Sequence, residues 1–234
     1  MIPFLIYTLY QKMANKHLIR SCSHWTMYRS VFLVTIFVAL LILFLSLIPA
    51  KSGAQRLLLN YTVKKSGVDI GWLTIERNID GIKSIMTLNS EIQTRIIWLL
   101  KITARESSTF ENGKLICSAQ FRKANGTIKL DKTTRFAGTH YEVLENSGRE
   151  NLAIPFIGTN LLSLYFEEPV GIAYVYCDKH QLFIPIQKMD DGGYKVKFPG
   201  GSSNCFYYRG GICNKIEIST SFYNVIILPD AKNN

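Results

Sequence analysis

From residue 56 almost to the C-terminus, apolar and polar residues alternate with a period of two. Leu57, Leu59, Tyr61 and Val63 alternate with Leu58, Asn60, Thr62 and Lys64. Met86, Leu88 and Ile92, then Tyr194, Val196 and Phe198, then Ile216 and Ile218 repeat the pattern between polar neighbours. Successive strand side chains point to opposite faces, so these runs predict strands with one face on a core and one in water.

Turn chemistry separates the runs. Asn112-Gly113 and Asn125-Gly126 are pairs that tight hairpin turns favour, because both positions take positive φ. Ser66-Gly67, Asp80-Gly81, Asp191-Gly192-Gly193 and Gly210-Gly211 punctuate the rest. Short spacing between turns predicts an antiparallel meander, here of nine to eleven strands. Asn160 to Pro169 departs from the pattern, with a capping residue, helix-permissive residues and a proline stop; it predicts one short helix. A long meander with one helix predicts a mainly β fold, a strongly curved sheet or (half-)barrel. Residues 95–104 (RIIWLLKITA) and 223–228 (YNVIIL) carry apolar residues on both faces and predict strands covered on both sides, or strands with one face in a core and the other lining an apolar pocket.

The first fifty or so residues differ. Residues 31–48 hold no charge and are interrupted only by Thr35 and Ser46. As a helix they would cover roughly 27 Å, near the hydrocarbon thickness of a bilayer. Lys12, Lys16, Arg20 and Arg29 precede them, which predicts a cytosolic N-terminus and an exported domain. Residues 1–30 read as a basic leader, over-extended if translation starts at Met27. Residues 31–48 read as an N-terminal hydrophobic export or transmembrane helix, 49–55 as a linker or cleavage region, and 56–230 as one β domain. Small residues Ser52-Gly53-Ala54 suit signal cleavage, while the length of the apolar run suits a retained anchor; both stay open. That orientation places the domain outside the cytosol.

The net charge of +10 overstates the basicity of that domain. Five of the 27 bases precede residue 56 and none of the 17 acids does. The remaining bases are scattered among acids, which argues against nucleic acid as a partner. His140 and His180 stand in no metal-ligand spacing, and neither a serine elbow nor a phosphate loop occurs, so no cofactor and no catalytic residue is assigned. Cys117, Cys177, Cys205 and Cys213 permit two bridges, but a two-residue turn at Gly210-Gly211 sets Tyr208 opposite Cys213 and Cys205 opposite Ile216, so free buried thiols are expected.

Aromatic residues are the more suggestive group. Trp72, Trp98, Tyr165, Phe166, Glu167, Tyr207 and Tyr208 are the candidate contacts for a ligand or partner. The Phe206-Tyr207-Tyr208 run cannot lie on one face of one strand.

Tyr61, Gly67 with Ile70-Gly71, the segment Tyr165-Phe166-Glu167-Glu168-Pro169, and the hairpin Tyr207-Tyr208-Arg209-Gly210-Gly211-Ile212 together resemble an uncharacterised exported β-rich domain-of-unknown-function family of Bacteroidota cell envelopes. The resemblance spans residues 56–228. It implies a bacterial envelope setting, on the periplasmic side of the inner membrane, and an antiparallel fold, and it carries over no catalytic residue.

Three functions follow as expectations. The first is an exported or membrane-tethered envelope protein, binding a lipid-like, apolar or amphipathic ligand in its curved sheet. The second is an interaction protein that holds an envelope partner through aromatic surface or a sheet edge. The third is an envelope hydrolase, which requires Glu167 or Glu168 to meet another acid or His140 in a cleft.

Overall fold

The chain divides into two units, Met1–Lys51 and Ser52–Asn234. The computed structural model describes residues 54–95, 99–221 and 223–230, all within the second unit. Among the described residues, fourteen strands form a single sheet. The first six are long: β1 Gln55–Lys65, β2 Val68–Asp80, β3 Lys83–Arg95, β4 Leu99–Glu111, β5 Lys114–Ala124 and β6 Thr127–Phe136. Shorter strands follow: β7 Tyr141–Glu145, β8 Gly148–Leu152, β9 Tyr174–Cys177, β10 Leu182–Lys188, β11 Tyr194–Lys197, β12 Ser203–Arg209, β13 Ile212–Ser219 and β14 Asn224–Pro229. All named strand pairs are antiparallel. The order runs β8-β7-β6-β5-β4-β3-β2-β1-β14-β13-β12-β11-β10-β9.

The turns fall where the dipeptides put them. Asn112 and Gly113 take φ of 49° and 72° between β4 and β5, the double positive-φ turn whose twist suits a hairpin. Alternation then drives one face inward. Tyr61, Val63, Leu73, Ile75, Met86 and Leu88 from β1–β3 join Val196, Phe206, Ile216 and Ile227 in one buried cluster.

The expected short helix is a 3-10 helix, Leu161–Tyr165, that starts with a reciprocal cap. Ser163 N–H donates to Asn160 Oδ1 (3.3 Å), and Asn160 N–H donates to Ser163 Oγ (3.4 Å). The helix seats on β3, β4, β9 and β13 and buries Leu162 and Leu164.

Several expectations are corrected. The ladder is open rather than a strongly curved or closed (half-)barrel: β8 and β9 end the order and do not pair. The reason lies at β9, whose outer edge is occupied. Tyr176 N–H donates to Thr159 O (3.0 Å), and Asn160 forms an isolated parallel bridge with Tyr176. At the other end, β8 is short and exposes Arg149 and Glu150, charges that discourage edge pairing.

The N-terminal hydrophobic helix expected over 31–48 lies outside the described residues. Among the described residues, no helix is long and apolar enough to cross a membrane. The membrane partner, the tether and the periplasmic placement all depended on that helix and are withdrawn.

The two doubly apolar segments also read differently in the fold. Residues 95–104 are not one central strand: Arg95 ends β3, Leu99 opens β4, and Leu99 is exposed. In β14, Val225 and Ile227 are buried while Ile226 is exposed, so that strand is covered on one face.

Candidate functional site

Four of the candidate aromatic and acidic residues gather around the 3-10 helix. The Tyr165 ring stands edge-on to Tyr61 (6.3 Å between centroids) and Phe206 (6.1 Å). Phe166 is buried, with the Arg77 guanidinium 5.2 Å from its ring, and Glu167 forms an ion pair with the same Arg77. Tyr208 points inward from β12, donates its hydroxyl to Leu164 O (2.8 Å) and meets the Tyr194 ring edge-on. Burial pushes the Tyr61, Tyr165 and Tyr208 hydroxyls far above the ordinary phenol range, so all three remain neutral donors.

The other candidates lie elsewhere. Trp72 is 47% exposed and shares a shallow groove with Arg105, Phe121 and Lys123. Tyr207 faces away from Tyr208; its hydroxyl donates to Asp191 (3.0 Å), and Lys215 Nζ stands 3.8 Å from its ring centroid. Trp98 lies outside the described residues.

The hydrolase constellation does not assemble. Glu167 is engaged by Arg77, Glu168 accepts from the Tyr194 hydroxyl (2.8 Å), and His140 contacts Thr139.

Polar residues that sequence reading passed over form the more unusual feature. Asp178 is buried directly after β9, and its carboxylate accepts from Ser118 Oγ and from Asn160 Nδ2 (3.0 Å). Asn160 Nδ2 also donates to Ser108 Oγ (2.7 Å). Burial raises the Asp178 carboxyl to about 6; the Ser118 and Asn160 bonds oppose that shift and the Glu106 charge adds to it. Gln120, Lys132 and Thr134 extend the buried polar set across β5 and β6.

A bulge explains why β5 turns this polar row inward. Phe110 pairs with Leu115 and Thr109 with Cys117, so Ile116 is an extra residue. Unbroken alternation from Leu115 would direct Cys117, Ala119 and Phe121 to the core. One inserted residue inverts the faces and directs Ser118, Gln120 and Arg122 there instead.

The expected apolar ligand cavity is corrected by the same geometry. The chain's own Leu162, Leu164 and Phe166 fill the inner face of the sheet. A cleft of about 310 Å³ remains, its walls mixing Leu73, Leu88 and Phe198 with Glu106, Arg122 and Lys179. Among the described residues, no group of three or more acids, cysteines or histidines could hold a metal ion.

The model of a family of unknown function, DUF6134, matches residues 61–230. The chain belongs to that family. No curated protein matches it. Among solved structures it is similar to a β-barrel-like protein of domain of unknown function DUF1849 from Brucella abortus. The TM-score is 0.51 at 10% identity, over 76% of this chain and 95% of that one. At that identity the likeness concerns the fold alone. This DUF6134 member shares the β-rich architecture, with its ladder left open.

Proposed function

We propose that this DUF6134 domain is an interaction module that holds a protein partner through an aromatic strip on its outermost hairpin. One observation carries the reading. In the β9–β10 register Tyr174 faces Pro185 and Tyr176 faces Phe183, which puts all four on one face. Tyr176 is buried, with the Phe183 ring edge-on to it at 5.6 Å, while Tyr174 is 59% exposed and Phe183 39%. The preceding loop adds Val170 and Ile172, both exposed. Exposed apolar side chains in series at a sheet margin are the kind of surface that a partner covers. The docking site therefore differs from Tyr207 and Tyr208, whose hydroxyls are spent within the fold. The Bacteroidota setting is part of this proposal and rests on the short motifs alone.

A photo-crosslinking amino acid placed at Val170 in the native cell tests it. The expected result is one discrete adduct that disappears in the Tyr174→Ser/Phe183→Ser variant while the circular dichroism spectrum is unchanged. No adduct, or an adduct that survives the double substitution, overturns the reading.

A further inference from the structure

The inverted phase of β5 leaves a second site, independent of the β9–β10 strip. On the inner face of β4 and β5, Glu106 stands opposite Gln120, and the small Ala104 stands opposite Arg122. These residues line the cleft of about 310 Å³, at the lower end of small-molecule sites. Their polar groups are incompletely used. Arg122 Nη2 lies 3.6 Å from Glu106 Oε1, an ion pair too long to be a hydrogen bond. Gln120 is only 9% exposed, and its Oε1 has no hydrogen-bond partner. A buried acceptor without a donor costs free energy that an apolar residue here would avoid. Tyr165 completes the wall, its hydroxyl within the influence of both the Glu106 and Arg122 charges.

We propose that this cleft binds a small zwitterion of the amino-acid type, with its ammonium between Glu106 and the Gln120 carbonyl oxygen and its carboxylate on Arg122 and the Tyr165 hydroxyl. The adjacent charges of opposite sign select the class. A simple anion would leave Glu106 facing it, and a simple cation would meet Arg122, whereas a zwitterion satisfies both and supplies the donor that Gln120 lacks. Lys179 and His180 also line the cleft. Desolvation, reinforced by Lys179 and Lys132, lowers the His180 pKa.

Thermal-shift and calorimetric titration of the full chain with each of the common L-amino acids tests the proposal, with acetate and methylammonium as single-charge controls. At least one amino acid is expected to raise the melting temperature in proportion to its concentration, with neither control doing so. Glu106→Gln and Arg122→Gln should each weaken that binding at least tenfold. Gln120→Leu should abolish it without lowering the melting temperature of the free protein, an outcome that a purely structural glutamine would not give. Side-chain amide resonances of Gln120 in the unsubstituted protein provide a readout that needs no variant, and they should move on titration. No response to any amino acid, an equal response to acetate, a response undiminished in the variants, or a static Gln120 amide overturns the proposal.

Discussion

Asp178 and Asn160 are joined across the inner face of the sheet by a 3.0 Å hydrogen bond from the amide nitrogen to the carboxylate. Asn160 also caps the 3-10 helix, and its nitrogen reaches Ser108 on β4. One side chain thus ties the start of the helix, strand β4 and the segment after β9 together. The buried carboxylate is the costly member of this network, since burial penalises its charged form.

Asp178 should therefore make stability fall as pH rises. Its folded-state pKa is raised to about 6 from the ordinary aspartate value of 3.8, so the native state holds a proton that the unfolded chain has already released. Its contribution is full below about pH 4 and is lost as pH climbs through about 6, a difference of roughly 3 kcal/mol. Asp178→Asn keeps the shape and removes the charge. Urea denaturation at a series of pH values should show this slope in the native sequence and its absence in the variant. A variant with an unchanged slope would remove Asp178 as the source.

Gly71 on β2 has a different constraint. A Cβ there would lie 2.2 Å from Glu91 O and 2.7 Å from Ile92 Cα on β3. Both are backbone atoms, which cannot swing aside as a side chain would. Gly71→Ala should cost about 1–3 kcal/mol by forcing β2 and β3 apart. Chemical denaturation measures the loss, and a neutral result would show that the strands separate freely at this point.

Tyr141 satisfies two buried backbone groups with one hydroxyl, donating to Leu115 O (2.8 Å) and accepting from Ile157 N–H (3.3 Å). Tyr141→Phe leaves the Ile157 amide without that acceptor, and a loss of about 1–3 kcal/mol is expected. Amide exchange at Ile157 should accelerate by more than the global destabilisation predicts. Equal acceleration throughout the domain would argue against a local role.

Sequence reading reached the hairpins because turn and strand signals are local. Asn112-Gly113 prescribes its own backbone, and the alternation of Tyr61 and Val63 prescribes its own face. It did not reach the polar network, because Ser118 and Asp178 are 60 residues apart and neither stands out among its neighbours. Nor did it reach the inward row of β5, since the Ile116 bulge becomes visible only once β4 is paired with it. The Gly210-Gly211 hairpin shows the same limit on a smaller scale. Tyr208 pairs with Cys213 as the turn requires, but a register shift after Tyr207 moves Cys205 opposite Glu217 rather than Ile216. The open ladder follows from residues 159 and 160 covering the edge of β9, a contact between segments that no local pattern encodes.

The four cysteines of the described residues are free, with Cys177 and Cys213 buried and Cys117 and Cys205 half-buried. Burial pushes the Cys213 thiol up to about 12 and raises Cys177 as well. The thiolate is the reactive form, so these two should resist alkylation at pH 8 until the domain unfolds. Cys117 and Cys205, both half-buried, should react before Cys177 and Cys213 in the native protein. Mass spectrometry of peptides after timed iodoacetamide labelling checks the order. Rapid labelling of Cys213 in the native state would show that the β12–β13 hairpin opens far more often than its packing implies. Recovery of a Cys205–Cys213 disulfide would contradict a register that keeps the two residues from facing each other.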